Sequence, residues 1–249
     1  MNDRSLRLDQ ALVARGLAAT RARARDAVLR GHVRVDGKPV AKPSLAVLPE
    51  AELALDDPAA RYVSRAALKL VAGLDHFQYA PQGRVALDLG ASTGGFTEVL
   101  LERGALRVHA VDVGHGQMDP RIAADPRVLS REGLNARELT ADHLGEPFSA
   151  LVSDVSFISL RLVLPPALAL AAPGSWGVFL VKPQFEVGRD GIGKGGLVRD
   201  AAEGRASVDA IAAFVDATPG WTIDGLIPSP IAGGDGNHEF LLGARKANS

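Results

Sequence analysis

Two lysines and two acids stand where an α/β chain would gather its chemistry: Lys69, Asp154, Lys182 and Glu239. Asp154 lies just past the apolar stretch 149–153, and Lys182 ends the apolar run 178–181. Both therefore fall at the carboxyl ends of candidate neighbouring strands, where doubly wound sheets bind their ligands. A lysine ammonium beside a hydroxyl oxygen that is losing its proton stabilises the developing alkoxide. A neutral lysine can instead take that proton as a general base. Asp154 would offset the lysine charge and orient Lys182. For Lys69, on a helix before the first strand, and Glu239, after the glycine-rich 233–236, an exposed charge is the plainer expectation when each is taken alone.

The elements that position these groups begin with Val85-Ala-Leu-Asp-Leu-Gly-Ala-Ser-Thr-Gly-Gly-Phe96. An apolar run of this length bounded by glycines predicts a buried parallel strand over 85–89, followed by a helix over 96–103. Gly90, Gly94 and Gly95 would let a ligand approach the backbone with no Cβ between, with Ser92 and Phe96 completing the loop. The spacing D-x-G-x-x-x-G-G differs from the dinucleotide pattern and resembles that of S-adenosylmethionine-dependent methyltransferases. A carboxylate such as Asp88 suits a cofactor bearing an amino group and a sulfonium. Asp112, ending the strand 108–112 and followed by Val113, is the expected partner of ribose hydroxyls. Glu132 and Asn135, after a third strand near 127–130, are candidates for the adenine, and Asp154 borders the same edge.

Composition sets bounds. The chain has 249 residues, 47% hydrophobic and 23% charged, enough for one large domain and a small one. It has no cysteine, which removes disulfides, thiolate metal sites and base methylation through a cysteine nucleophile. The six histidines show no ligand spacing, and no metal is expected. The longest apolar region, 162–173, is broken by prolines and too short to span a bilayer. No signal peptide is visible, so a cytoplasmic location without membrane contact is expected. The net charge of −1 hides a division: residues 1–42 carry ten Lys/Arg against four acids, +6, leaving −7 for the rest. A basic head on an acidic body points to a polyanionic partner.

In that head, 8–15 has helical apolar spacing ending at Gly16. Thr20 is placed to cap a second helix over 21–30, stopped by Gly31. His32-Val-Arg-Val35 alternates and meets Asp36-Gly37, a hairpin signal, and 43–58 reads as the end of the unit and a linker. L-x-L-D-x-x-L, the arginines that follow and R-G-x-V-x-V-D-G-K-x-V resemble the S4 RNA-binding domain. That resemblance implies contacts to structured RNA from Arg4, Arg7, Arg21, Arg23, Arg25, Arg30, Lys38 and Lys42. Farther along, a helix is predicted from about Ser64, then strands 148–153, 176–182, 221–227 and 238–244 with helices 160–171 and 202–217. The last strand is expected to run antiparallel beside 221–227. The α/β fold class predicted is a small α+β unit over 1–60 followed, over 61–249, by a Rossmann-like domain with a mostly parallel seven-stranded sheet. The segment 185–200, with its many glycines, reads as either a mobile lid or a structural Ω-loop.

Lys69, Asp154, Lys182 and Glu239 together resemble the K-D-K-E tetrad of the FtsJ-like ribose 2′-O-methyltransferases. An S4 domain joined to such a domain is similar to the TlyA family of ribosomal RNA methyltransferases, also called haemolysins. Val111-Asp-Val-Gly-His-Gly-Gln117, Lys182-Pro-Gln-Phe-Glu186 and 188–200 match as well. His115 departs from the tyrosine that members often carry there. The resemblance implies S-adenosylmethionine as cofactor and ribosomal RNA of one or both subunits as partner, with a cytidine 2′-hydroxyl as target. Lys69 and Glu239 would then complete the network and position the ribose. The sequence Asp-Val-Ser-Phe157 is not the N-P-P-Y type used on exocyclic amines, which favours an oxygen; Phe157 reads as wall. Two other readings are a membrane-active haemolysin and a non-catalytic ribosome-assembly protein. The absence of an export signal, and the intact tetrad, argue against each in turn. The chain does not specify its oligomeric state.

Overall fold

The computed structural model describes residues 5–249, which divide between Arg61 and Tyr62 into two compact units. In the first, α1 (Leu8–Ala14) and α2 (Arg21–Leu29) pack through Leu8, Leu12, Ala24 and Val28 around one small core. Thr20 caps α2 as its position predicts, its side chain accepting from the Arg23 backbone. Val33–Val35 and Lys38–Pro39 pair across Asp36 and Gly37, both at positive φ, as the hairpin signal requires. The stretch expected to be linker is largely structured. Leu53–Leu55 adds a third strand beside Val33–Val35, and Ala46–Val47 pairs with Leu6–Arg7.

The second unit is a seven-stranded sheet. Its strands are β1 (Val85–Leu89), β2 (Arg107–Asp112), β3 (Val128–Glu132), β4 (Ala150–Ser153), β5 (Trp176–Val181), β6 (Trp221–Pro228) and β7 (Phe240–Lys246). They lie in the order β6-β7-β5-β4-β1-β2-β3, and β7 runs antiparallel to both its neighbours. β5 is buried along its whole length because both faces are covered, which is why its sequence is an unbroken apolar run. Val178 and Leu180 face α3 (Ala67–Phe77) and α4 (Gly95–Glu102). Phe179 and Val181 face α5 (Leu160–Leu170) and α6 (Ala201–Asp216). The helix expected from Ser64 begins at Ala67, after a turn in which the Ser64 carbonyl accepts from the Ala67 backbone. The last strand starts at Phe240, so Glu239 immediately precedes it.

The segment 185–200 is tied down. Ile192 and Val198 form an isolated antiparallel bridge. The buried Asn237 side chain accepts from the Val198 N–H at 3.0 Å and donates to the Gly196 carbonyl at 2.9 Å. This favours the Ω-loop over the free lid.

Candidate active site

Strand register assembles the site. Val181 pairs with Phe240 across β5 and β7, so the next positions outward, Lys182 and Glu239, meet at the carboxyl edge of β5. Phe179 and Leu89 both pair with Ser153, which brings Asp154 and Gly90 to the same edge. The four chemical residues form two ion pairs. Lys69 Nζ lies 2.5 Å from Glu239 Oε2, and Lys182 Nζ lies 2.6 Å from Asp154 Oδ1. Lys69, Lys182 and Glu239 are each at most 9% exposed. A buried lysine is tolerated only with a partner, and each of these has one carboxylate. The burial of Lys69 and Glu239 overturns the plainer expectation of exposed charges. Lys182 Nζ also donates to Ser156 Oγ at 2.8 Å. Gly233 is needed where Glu239 approaches, since a Cβ there would stand 2.6 Å from its Oε1.

A cavity of about 550 Å³ opens beside this edge, lined by Gly90, Ser92, Asp112, Val113, Asn135 and Asp154 among others. Its volume is that of a small-molecule site. Gly90, at φ +81°, admits the close approach of the two loops; a Cβ there would lie 2.7 Å from the Asp154 carbonyl oxygen. Asp112 accepts from the Ser92 N–H (2.8 Å) and the Gly114 N–H (2.7 Å), which fixes its carboxylate and leaves lone pairs for hydroxyl donors. Asp88 is fully buried. Burial pushes its carboxyl up to about 7, against the bond from Thr97 Oγ1 (2.7 Å) and with help from the charges of Asp154 and Asp112. Its Oδ1 is buried without a hydrogen-bond partner. Cavity size, carboxylates and apolar walls (Val111, Leu134, Val155) fit an adenosyl amino acid.

Five expected cofactor residues do other work or lie outside this lining. Gly94 and Gly95 face Ile122 and Ser64, so their missing Cβ serves packing. Phe96 is buried in the core between sheet and helices. Glu132 is exposed and accepts from the Gly116 and Gln117 backbone at 2.6 and 3.2 Å, holding the turn after β2. Those bonds, led by that from Gly116, hold its carboxyl below the usual range despite some desolvation. Asp88 lies outside the lining too. Asn135 does line the cavity, while its Oδ1 caps the turn Ala136–Glu138. Ser156 and Gln117, which no motif in the sequence singles out for the cofactor, also line the cavity, as does Phe157, expected as wall. Phe157 is 89% exposed, at φ +65°, with its ring 5.1 Å from that of Phe185.

Among the expected RNA contacts, Arg4 lies outside the described residues. Arg7 donates to Asp9 through two nitrogens, and Arg21 donates to the same carboxylate at 3.1 Å. Arg7 first, opposed by burial and joined by Arg21, holds the Asp9 carboxyl down at about 2. Both guanidinium groups remain about half exposed. Arg25, Lys38 and Lys42 are exposed and Arg23 is half-buried. Arg30 is used differently, bonding Asp26 at 2.9 Å and Asp57 through two nitrogens and so closing the first unit on itself. Among the described residues, no helix is long and apolar enough to cross a membrane.

Residues 62–246 match the model of the FtsJ-like methyltransferases and residues 6–53 that of the S4 domain. The chain is 46% identical to the 16S/23S rRNA (cytidine-2′-O)-methyltransferase TlyA of Mycobacterium tuberculosis, over 97% of this chain and 90% of that protein. It is 35% identical to Hemolysin A of Brachyspira hyodysenteriae, over 95% and 98%. A solved structure of a candidate hemolysin from Streptococcus thermophilus superposes with a TM-score of 0.75 at 40% identity, covering 98% of this chain and 90% of that one. Fold and matches define an S4 unit joined to a FtsJ-like methyltransferase unit. Within that class, the chain belongs to the TlyA family of ribosomal RNA methyltransferases.

Proposed function

We propose that this chain transfers a methyl group from S-adenosylmethionine to a ribose 2′-hydroxyl, that of a cytidine, in ribosomal RNA, with the residue roles that follow. The observation that carries the reading is the pair of buried lysine–carboxylate contacts, Lys69 with Glu239 and Lys182 with Asp154, of which Asp154 also lines the cavity. The cofactor supplies an activated methyl group on a sulfonium. Asp112 would take its ribose hydroxyls, the apolar walls its adenine, and Asp88 would answer its positive charge. What the chain itself must do is hold the target hydroxyl and deal with its proton. Lys182, fixed by Asp154 and Ser156, points a nitrogen at the attacking oxygen. Lys69 and Glu239 hold the ribose from the other side. Two cations and two anions cancel, so the buried groups carry no unpaired charge. The S4 unit supplies the docking charge.

The test uses tritiated cofactor and unmodified ribosomal RNA. A 2′-O-methyl group blocks alkaline cleavage of the next phosphodiester, so label is expected in alkali-resistant dinucleotides. Label in nucleobases, or none, would overturn the reading. Lys182→Ala is expected to lower transfer by about 10²–10⁴-fold, with cofactor affinity retained by calorimetry.

A further inference from the structure

We propose that Ser156 is a positioning residue for Lys182 and the relay that carries its proton to water. The inference rests on the ribose-methylation reading above. Lys182 Nζ sits between Asp154 Oδ1 and Ser156 Oγ, both supplied by the three residues after β4. With two of its donors so engaged, the amine has one direction left for a substrate hydroxyl. Lys182 is 9% exposed, whereas Ser156 is exposed and lines the cavity. The buried nitrogen thus reaches solvent through a group that can accept one hydrogen bond while donating another. Asp154, accepting only, can hold the charge.

The loop that presents Ser156 is built for the purpose. Phe157, next in the chain, is held at φ +65°, a conformation disfavoured for a non-glycine residue. Glu186 anchors the far end of the loop, accepting from Ser159 Oγ and the Leu160 N–H at 2.5 and 2.8 Å. Glu186 belongs to the same short segment as Lys182, so lysine and loop are fixed to one another.

Protons and electron pairs balance across the cycle. Lys182 gives a proton to Ser156 Oγ while Ser156 gives its own to water, leaving a neutral amine, and rotation about Cε–Nζ returns an N–H to Ser156 and turns the lone pair to the ribose hydroxyl. The ribose O–H then breaks, its proton going to Nζ as the oxygen–methyl bond forms. The sulfur–methyl bond breaks and its electron pair stays on sulfur. One proton reaches solvent per turnover.

Steady-state kinetics of the full chain on ribosomal RNA tests this with Ser156→Ala and Ser156→Thr. The alanine variant is expected to lose about 10–100-fold in kcat, within the range of general acid–base catalysis, with both KM values unchanged. Added imidazole buffer should restore part of that rate, and the threonine variant most of it. In the unaltered chain, rate against deuterium fraction should curve, as two moving protons require. A purely structural serine would instead raise KM, ignore buffer and leave that plot linear; any of these overturns the relay. Equal kcat for the alanine variant and the unaltered chain overturns it alone. No methylation by the unaltered chain removes the ribose reading and the relay together.

Discussion

Asp88 shows how one residue can be at odds with the fold and still be retained. Its carboxyl is fully buried with a single donor, Thr97, and its second oxygen has none. The ordinary value of 3.8 is raised to about 7 in the folded chain, chiefly by burial. A raised folded value means that the stability from this group is fully present below pH 3.8 and is lost as pH rises to about 7. The cofactor-free protein is thus expected to lose stability across that window, by on the order of a few kcal/mol from this group. Asp88→Asn removes the titration and keeps the shape. The asparagine variant should melt higher than the parent at about pH 8, above the folded value, and lose the pH dependence, in thermal scans without cofactor. It should also bind S-adenosylmethionine more weakly by calorimetry, because a neutral amide answers a cation less well. A variant that melts lower than the parent under those alkaline conditions would show that Asp88 serves the fold, not the ligand.

At the scale of elements, the approach of the β1 and β4 loops decides whether there is a cavity at all. Gly90 makes that approach possible twice over, by its positive φ and by the space its Cβ would take from the Asp154 carbonyl. Gly90→Ala must either move the Asp154 loop or strain its own backbone. The expected loss is about 1–3 kcal/mol of stability, with cofactor binding weakened more than melting, since the loop that moves also carries Asp154. Calorimetry beside a melting curve checks the order. The importance of Gly90 was legible in the sequence, as was β5, because a strand buried on both faces must be apolar throughout. Gly94 and Gly95 looked equivalent to Gly90, yet their space is taken by Ile122 and Ser64. A glycine records that a Cβ is unwelcome, not what would meet it. The pairing of Leu6–Arg7 with Ala46–Val47 was hidden for another reason: two residues are too few to show a period. Glu132 was ambiguous because an acid at the end of a third strand looks the same whether it meets a ligand or holds a neighbouring turn.

Over the whole molecule, the formal charge is unevenly divided: +6 in residues 1–42 against −7 beyond. The basic side chains of the first unit are not equivalent, although the sequence presents them alike. Arg30 is spent on Asp26 and Asp57, the latter 27 residues farther along the chain. Arg7 and Arg21 share the buried Asp9 and keep half-exposed guanidinium groups. A common anchor narrows the freedom of both side chains before any phosphate arrives, so less entropy is lost when one does. Replacing both, Arg7→Gln with Arg21→Gln, should therefore weaken binding to ribosomal RNA and flatten its salt dependence. Removing one neutralised phosphate reduces the slope of log affinity against log salt by about 0.7–0.9, so about 1.4–1.8 is expected for the pair. The double variant also leaves the buried Asp9 unpaired and so lowers the melting temperature; Arg30→Gln should lower it too, but with the salt slope of the protein that remains folded close to the parent's. Filter binding at several salt concentrations, beside thermal melts, separates the two. If Arg30→Gln flattens the slope as much as the double variant while the unit stays folded, the buried ion pair opens on the RNA, and Arg30 acts as Arg7 and Arg21 are expected to.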